Sequence, residues 1–508
     1  LTFNLQINKI IFMIEVGFSH ELYAHHVEDL NWRSLLFLGL ILIGGTILPA
    51  QEQDLGTPII SNYETELYNA NPQNWVAVQD QRGVMYFGNS SGILEFDGQH
   101  WKIIPVPGNA ITRALTCGPD GTIYYGSIGA FGYLVVSPSG KVTAVSLKES
   151  IPKADRAFND VWQALSSRYG IYFLSREKIF RSVNGQVHPI QGKFASSQAC
   201  LLNETVFYAD MDKGLCMLEG DQVVPIPQLA KVYNGKRIAL APFGRHRLLV
   251  GRITGDFLQL DLESMWDEAA RRFDISRPAS KEIIKPFPCE LGTFLRENNG
   301  SLYKLVPLGE GTFALSTVKG GIVTFGRNGK IIRVINTNRG LLDNTVGNIF
   351  LDQCHNLWAA NNSGISHVEL SVPQSFFGAR NNISGVSIST SFFGGRLYVG
   401  TYQEMLVRVP YCFAQQDDKQ VFRTLKNSPA QIWQFLEVDG FLMAATSQGL
   451  FQVKGEDAIK VQGSVSYAYS LATSKHWPNH LFVGLLGGME VFKHQRGSGM
   501  KGAARWEL

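Results

Sequence analysis

A unit of about 40 residues recurs roughly ten times along this chain, and it constrains the fold more than any other feature. It reads most clearly at residues 74–96, NWVAVQDQRGVMYFGNSSGILEF. A short apolar strand runs into a polar turn ending in Gly, and an aromatic-rich strand then ends in a small residue. A second tight turn follows, and a third strand leaves it. The next copy spans 111–135, with Pro119-Asp120-Gly121 as its first turn and Ile123-Tyr124-Tyr125-Gly126 as its second strand. Later copies centre on Tyr172-Phe173-Leu174, Phe207-Tyr208-Ala209, Leu249-Val250-Gly251, Phe313-Ala314-Leu315, Leu357-Trp358-Ala359, Tyr398-Val399-Gly400, Leu442-Met443-Ala444 and Phe482-Val483-Gly484. Nothing between copies is long enough for a crossover helix, so the strands must form antiparallel four-stranded units. The reading is all-β, a seven-bladed β-propeller followed by a partial second propeller.

The copies divide the chain. The first seven end near Leu370, giving a propeller over residues 58–370, in which residues 58–73 lead into the first blade. Copies eight to ten fill much of residues 371–508 as about three further blades. Three blades do not close a ring, and open sheets expose edges that invite pairing. The expectation is therefore a fragment of a longer protein. One gap is long: at residues 261–288, LESMWDEAARRF spaces Leu262, Met265, Trp266, Ala269 and Phe273 three or four apart, the period of a short amphipathic helix.

Residues 35–48, LLFLGLILIGGTIL, form an uncharged apolar run preceded by Arg33. It is short for a membrane helix, which needs about 20 residues, and fits a signal-peptide core or anchor over 35–50. Residues 1–34 read as an atypical leader or a mis-assigned start, with Met13 as a candidate initiator. His20-Glu21 and His25-His26 miss the H-E-x-x-H spacing of a zinc site. The six cysteines are scattered, without C-x-x-C or other metal-ligand spacing. Cys200 and Cys216 fall within one blade and are expected as buried free thiols. A net charge of +3 gives no basis for nucleic-acid binding.

Antiparallel pairing brings the start of each first strand and the end of each second strand to one face of the disc. That face collects Asn74, Trp75, Asn89, Asn159, Trp162, Arg176, Asp210, Arg252, Lys319, Asn344, Asn361 and Asn362. The opposite face collects turn residues, whose Gly, Asp and Asn serve the backbone. Aromatic faces stack on sugar rings while amides and guanidinium groups take hydroxyls. The candidate ligand-binding residues are therefore Trp75, Asn159, Trp162, Arg176, Arg252, Lys319, Asn344 and Asn361. No paired carboxylates stand out as an acid/base couple, and no G-x-S-x-G elbow is present. A G-x-G-x-x-G match at residues 497–502 has no following helix or βαβ unit. Neither an enzyme nor a metal or cofactor site is expected.

Residues 344–365, NTVGNIFLDQCHNLWAANNSGI, resemble the two-component regulator propeller repeat, with degenerate copies at 74–93 and 159–172. Residues 74–101 are similar to the first blade of the periplasmic sensor regions of Bacteroidetes-type signalling proteins. The resemblance covers residues 58–492. It implies two seven-bladed propellers ahead of a Tyr-rich immunoglobulin-like domain, a membrane span and a cytoplasmic output module. The chain departs from that pattern in lacking the second half of the second propeller and everything after it, so an apparent C-terminal truncation is expected. The resemblance implies a non-catalytic sensor region, periplasmic or extracellular, binding a small extracellular ligand with an oligosaccharide as candidate. Propeller edges are the candidate homodimer surface. Membrane contact is expected only through an uncleaved N-terminal anchor or a missing C-terminal span. The alternatives are a protein-interaction scaffold and a propeller-fold lyase or glycosidase.

Overall fold

Short turns join neighbouring strands of a repeat, so those strands pair antiparallel in one sheet. In the first blade, Asn74–Gln79, Met85–Asn89, Gly92–Phe96 and Trp101–Ile104 pair in sequence order. The computed structural model describes residues 56–195, 198–278, 282–372, 374, 376–409, 421–465, 467–495 and 505–507. The leader and signal segment assigned to residues 1–50, Cys412 and the 497–502 glycine motif lie outside them. Among the described residues, no helix is long and apolar enough to cross a membrane.

Six further four-stranded sheets follow, with inner strands Thr112–Cys117, Val161–Ser167, Cys200–Leu202, Ile238–Gly244, Ser301–Gly309 and Val346–Leu351. The seventh sheet is completed from far upstream. Its outer strand is Ile59–Tyr63, which pairs antiparallel with Ile365–Glu369. The sequence reading made these residues a lead-in to blade one; they instead cover the edge that Ile365–Glu369 would otherwise expose. Asn62 fixes the seam: its Nδ2 donates to Gly340 O at 2.8 Å, and Ser366 Oγ donates to its Oδ1 at 2.7 Å. Tyr63 stacks on Trp358 with ring centroids 5.8 Å apart.

One turn device explains the Asp-to-aromatic spacing of the repeat. Asp352 Oδ1 accepts from the backbone N–H of Cys354 and Asn356, while Oδ2 accepts from Trp358 Nε1 at 2.9 Å. Six residues before an aromatic again, Asp80 accepts from the N–H groups of Arg82 and Val84, and Tyr86 O–H lies 3.4 Å from its Oδ2. A carboxylate in the turn thus satisfies donors that burial would otherwise orphan.

The cores lie between sheets. One apolar cluster joins blades one and two through Val76, Ile93, Leu115 and Tyr125, and another joins blades two and three through Phe131, Phe173 and Phe180. The series continues around the ring and returns to blade one, where Trp358 and Ile365 meet Phe87 and Leu94. Close packing of these inclined sheets explains the small residue near the end of the second strand. A Cβ on Gly88 would lie 2.6 Å from Thr112 O, on the inner strand of the next blade.

The helix expected at residues 261–288 does not form. The segment holds a 3-10 turn, Glu263–Met265, and a hairpin pairing Trp266–Asp267 with Arg272–Phe273. Asp267 Oδ1 accepts from the N–H groups of Ala269 and Ala270, turning the chain where a helix would have to continue. Leu262, Met265 and Phe273 still bury, against the core between blades four and five. Helical spacing and a hairpin thus serve one apolar contact. A seven-residue helix, Leu291–Glu297, forms downstream and packs between blades five and six. Cys200 and Cys216 are buried free thiols, on the first and third strands of the fourth sheet.

After Glu369 come three more four-stranded sheets, whose inner strands are Ser387–Phe393, Ile432–Val438 and Ala468–Thr473. Apolar clusters again fill the spaces between successive sheets.

Candidate functional site

The inner strands of the ring surround a channel, and a recurring irregularity decides what enters its mouth. Register slips by one residue between Asn74 and Val76, Thr112 and Ala114, Val161 and Gln163, Leu302 and Lys304, and Val346 and Asn348. The skipped residues are Trp75, Arg113, Trp162, Tyr303 and Gly347. A bulge re-aims the side chain it leaves unpaired. Trp75, Arg113, Trp162 and Tyr303 accordingly all line one cavity of about 230 Å³, joined by Arg237 and Lys304.

Two cation–aromatic assemblies organise the mouth. The guanidinium carbon of Arg113 lies 4.1 Å from the Trp75 ring centroid and 4.5 Å from that of Trp162, so the cation is held between two indoles. Its Nε is 2.8 Å from Asp160 Oδ1, which neutralises it. Across the ring, Arg237 lies 4.4 Å over Tyr303. Deeper, Lys304 Nζ donates to Asn348 Oδ1 at 3.0 Å. Burial pulls the Lys304 ammonium down to about 8, although the residue as a whole is only partly buried.

Amide side chains stiffen the wall. Gln198 donates to Leu305 O and accepts from Leu305 N–H, both at 2.7 Å, linking the start of blade four to the inner strand of blade six. Gln163 makes the same two-way contact with Ala199, at 2.8 Å each. The device recurs in the second array, where Gln434 clasps Leu471. No Asp or Glu lines the cavity. Among the described residues, no cluster of three or more His, Cys, Asp or Glu side chains is arranged to hold a metal ion.

The eight candidate residues separate into groups. Trp75 and Trp162 line the channel. Arg176 stands beside them, with its guanidinium carbon 5.5 Å from the Trp162 centroid. Asn159 is next to this group but engages Glu177, donating from Nδ2 at 2.9 Å. The other four do not line the cavity. Arg252 pairs with Asp256 at 2.9 Å and donates to the carbonyls of Lys231 and Val232. Lys319 occupies a turn with φ of 88°. Asn344 Oδ1 accepts from Thr337 N–H, and the buried Asn361 donates to Ser366 Oγ. Of the wider face, Asn74 and Asn89 bond one another at 2.8 Å, while Asp210 is buried and accepts from the N–H groups of Lys193, Asp212 and Lys213. Sequence reasoning missed Arg113, Gln198, Arg237, Tyr303, Lys304 and Asn348. For Arg113, Tyr303 and Asn348 the available signal was a polar or aromatic residue at the second or third position of an inner strand, while Gln198 and Arg237 precede their strands and carried no such mark.

These features define a β-propeller with a polar, aromatic-rimmed central channel. The same architecture occurs in the extracellular domain assigned to the hybrid two component system BT3049 from B. thetaiotaomicron, which matches with a TM-score of 0.58 at 14% identity. The match covers 86% of this chain and 59% of that one, so this chain spans well under two thirds of the relative's length. The extracellular domain assigned to the one component system BT4673 of the same organism matches at 0.45 and 15% identity, over 86% and 59% of the two chains. Virginiamycin B lyase from Staphylococcus aureus matches at 0.44 and 13% identity, over 61% of this chain and 99% of its own. No protein-family model and no curated protein matches the sequence.

Proposed function

We propose that this chain is the ligand-sensing, extracytoplasmic region of a signal-transduction regulator, non-catalytic in itself. The carrying observation is the channel mouth, where bulges in blades one, two, three and six present Trp75, Arg113, Trp162 and Tyr303 to one solvent-connected cavity. Aromatic faces with adjacent cations suit a sugar-like ligand, stacking on the ring and hydrogen-bonding its substituents. The resemblance of residues 344–365 to the regulator repeat and the fold shared with an extracellular domain support an exported location. Binding would act by favouring one arrangement of blades or of paired chains, to the extent that its affinity for the two arrangements differs. An output domain outside this chain would receive the change.

The test is a thermal-shift screen of the full chain against an oligosaccharide panel. A ligand specific to the folded state raises the melting temperature in a saturable way. The shift should disappear in Trp162→Ala while that variant still melts cooperatively. No shift from any oligosaccharide would favour a protein-interaction scaffold instead. One feature supports that second reading. Tyr402, Trp433 and Tyr469 form a partly exposed aromatic strip across the second array, with centroid spacings of 5.6 and 5.4 Å.

A further inference from the structure

The channel is charged in one sense only. Arg113, Arg237 and Lys304 line it, and no carboxylate does. Arg113 has a counter-charge in Asp160, which lies outside the lining. The other two have none: among the described residues, neither Arg237 nor Lys304 has an ion-pair partner. Lys304 has a single hydrogen-bond acceptor, Asn348 Oδ1, for the three N–H groups an ammonium carries. Stacking on Tyr303 holds the Arg237 guanidinium plane while leaving its N–H edge available for a planar oxyanion. A desolvated cation without a counter-charge is costly, and a bound anion would offset that cost.

We infer that the channel binds a small molecule bearing an oxyanion, a carboxylate or sulfate on a sugar-sized body, held by Lys304 and Arg237. This deepens the sensor reading and rests on it. The anion takes the two donors, and the body of the ligand lies against Tyr303, Trp75 and Trp162 at the mouth. The Lys304 ammonium is charged at neutral pH, since its pKa is pulled down only to about 8. The charged groups facing it across the cavity are Arg113 and Arg237.

Calorimetric titration of the full chain decides the matter, using an oligogalacturonate, a sulfated galactan oligosaccharide and a neutral galacto-oligosaccharide, with sodium sulfate as the free anion. Either acidic oligosaccharide should bind at least about 10-fold more tightly than the neutral one, the better of the two identifying the anion. Lys304→Met and Arg237→Gln should each remove most of that preference, and the melting temperature of each variant reports its folding. Equal affinity for neutral and acidic ligands, unchanged in both variants, would overturn the anion assignment and leave the ligand-sensing reading standing. Binding of free sulfate alone would keep the anion and overturn the sugar-sized body. No binding of any probe would overturn both readings.

Discussion

Lys304 Nζ lies 3.0 Å from Asn348 Oδ1, a contact that joins the inner strands of blades six and seven without any carboxylate. In the folded chain the ammonium loses its proton near pH 8, against 10.5 for an ordinary lysine. Below pH 8 both folded and unfolded states are protonated, so the penalty for burying the charge is fully present. Between the two values the unfolded state binds the extra proton, and stability rises with pH. Lys304→Met should therefore stabilise the chain at pH 7, by up to roughly 3 kcal/mol less what the lost Asn348 contact contributed. The advantage should shrink as pH climbs from 8 towards 10.5, as urea titrations at pH 7 and pH 10 would reveal. A variant less stable than the parent at pH 7 would contradict this.

Gly88 tests the packing of one blade on the next. Its absent Cβ would sit 2.6 Å from both Thr112 O and Val76 Cγ1, and the backbone oxygen has little room to retreat. Gly88→Ala should cost about 1–3 kcal/mol by overpacking, read as a lower denaturant midpoint. Gly487→Ala is the matched control, because nothing lies within 4 Å of its Cβ position. Equal effects at the two sites would show that side-chain crowding is not the cause.

Asp352 tests the turn device. Asp352→Ala deprives Cys354 N–H, Asn356 N–H and Trp358 Nε1 of their acceptor, and should destabilise by about 3 kcal/mol. Asp352→Asn keeps one acceptor oxygen and should recover part of the loss. The indole N–H resonance of Trp358 should move in both variants. An unshifted resonance would mean the bond is not formed in solution.

Asn62 tests the seam. Asn62→Ala removes a donor to Gly340 O and the acceptor of the Ser366 hydroxyl, and should cost about 1–2 kcal/mol. Hydrogen exchange should accelerate first in Ile59–Tyr63 and Ile365–Glu369, ahead of the blade interiors. Uniform acceleration across all blades would argue that the seam opens only with global unfolding.

The repeat was legible in sequence because each copy carries its own turns. Asp352, Asn356 and Trp358 act within one hairpin, so their spacing is visible locally. The closing strand was not legible, since Ile59–Tyr63 pairs with residues about 300 positions away and nothing in IISNY specifies that partner. The failed helix at residues 261–288 shows a different limit. Three-to-four spacing fits a hairpin whose two arms bury the same face, and Asp267 decides between them through two backbone hydrogen bonds. At the site, strand-end reasoning set Trp75 and Trp162 on one face of the disc, and the bulge at each of them is what turns the side chain into the channel. It also gathered Arg252, Asn344 and Asn361, whose side chains turn back to hold local backbone or neighbouring side chains. Lys304 was hidden because its cavity forms only when strands from non-adjacent blades converge, a property of the closed ring.

The remote partner of Ile59–Tyr63 also sets an order of events. During synthesis this strand emerges first and must wait for Ile365–Glu369, about 300 residues later, or some 15–60 s at ordinary elongation rates. Throughout that interval it lacks the partner it has in the finished sheet. Native contacts of such long sequence separation form slowly. Closing the ring therefore requires the oldest part of the sheet to be captured by the newest, and a chain interrupted before residue 365 leaves that strand without its partner.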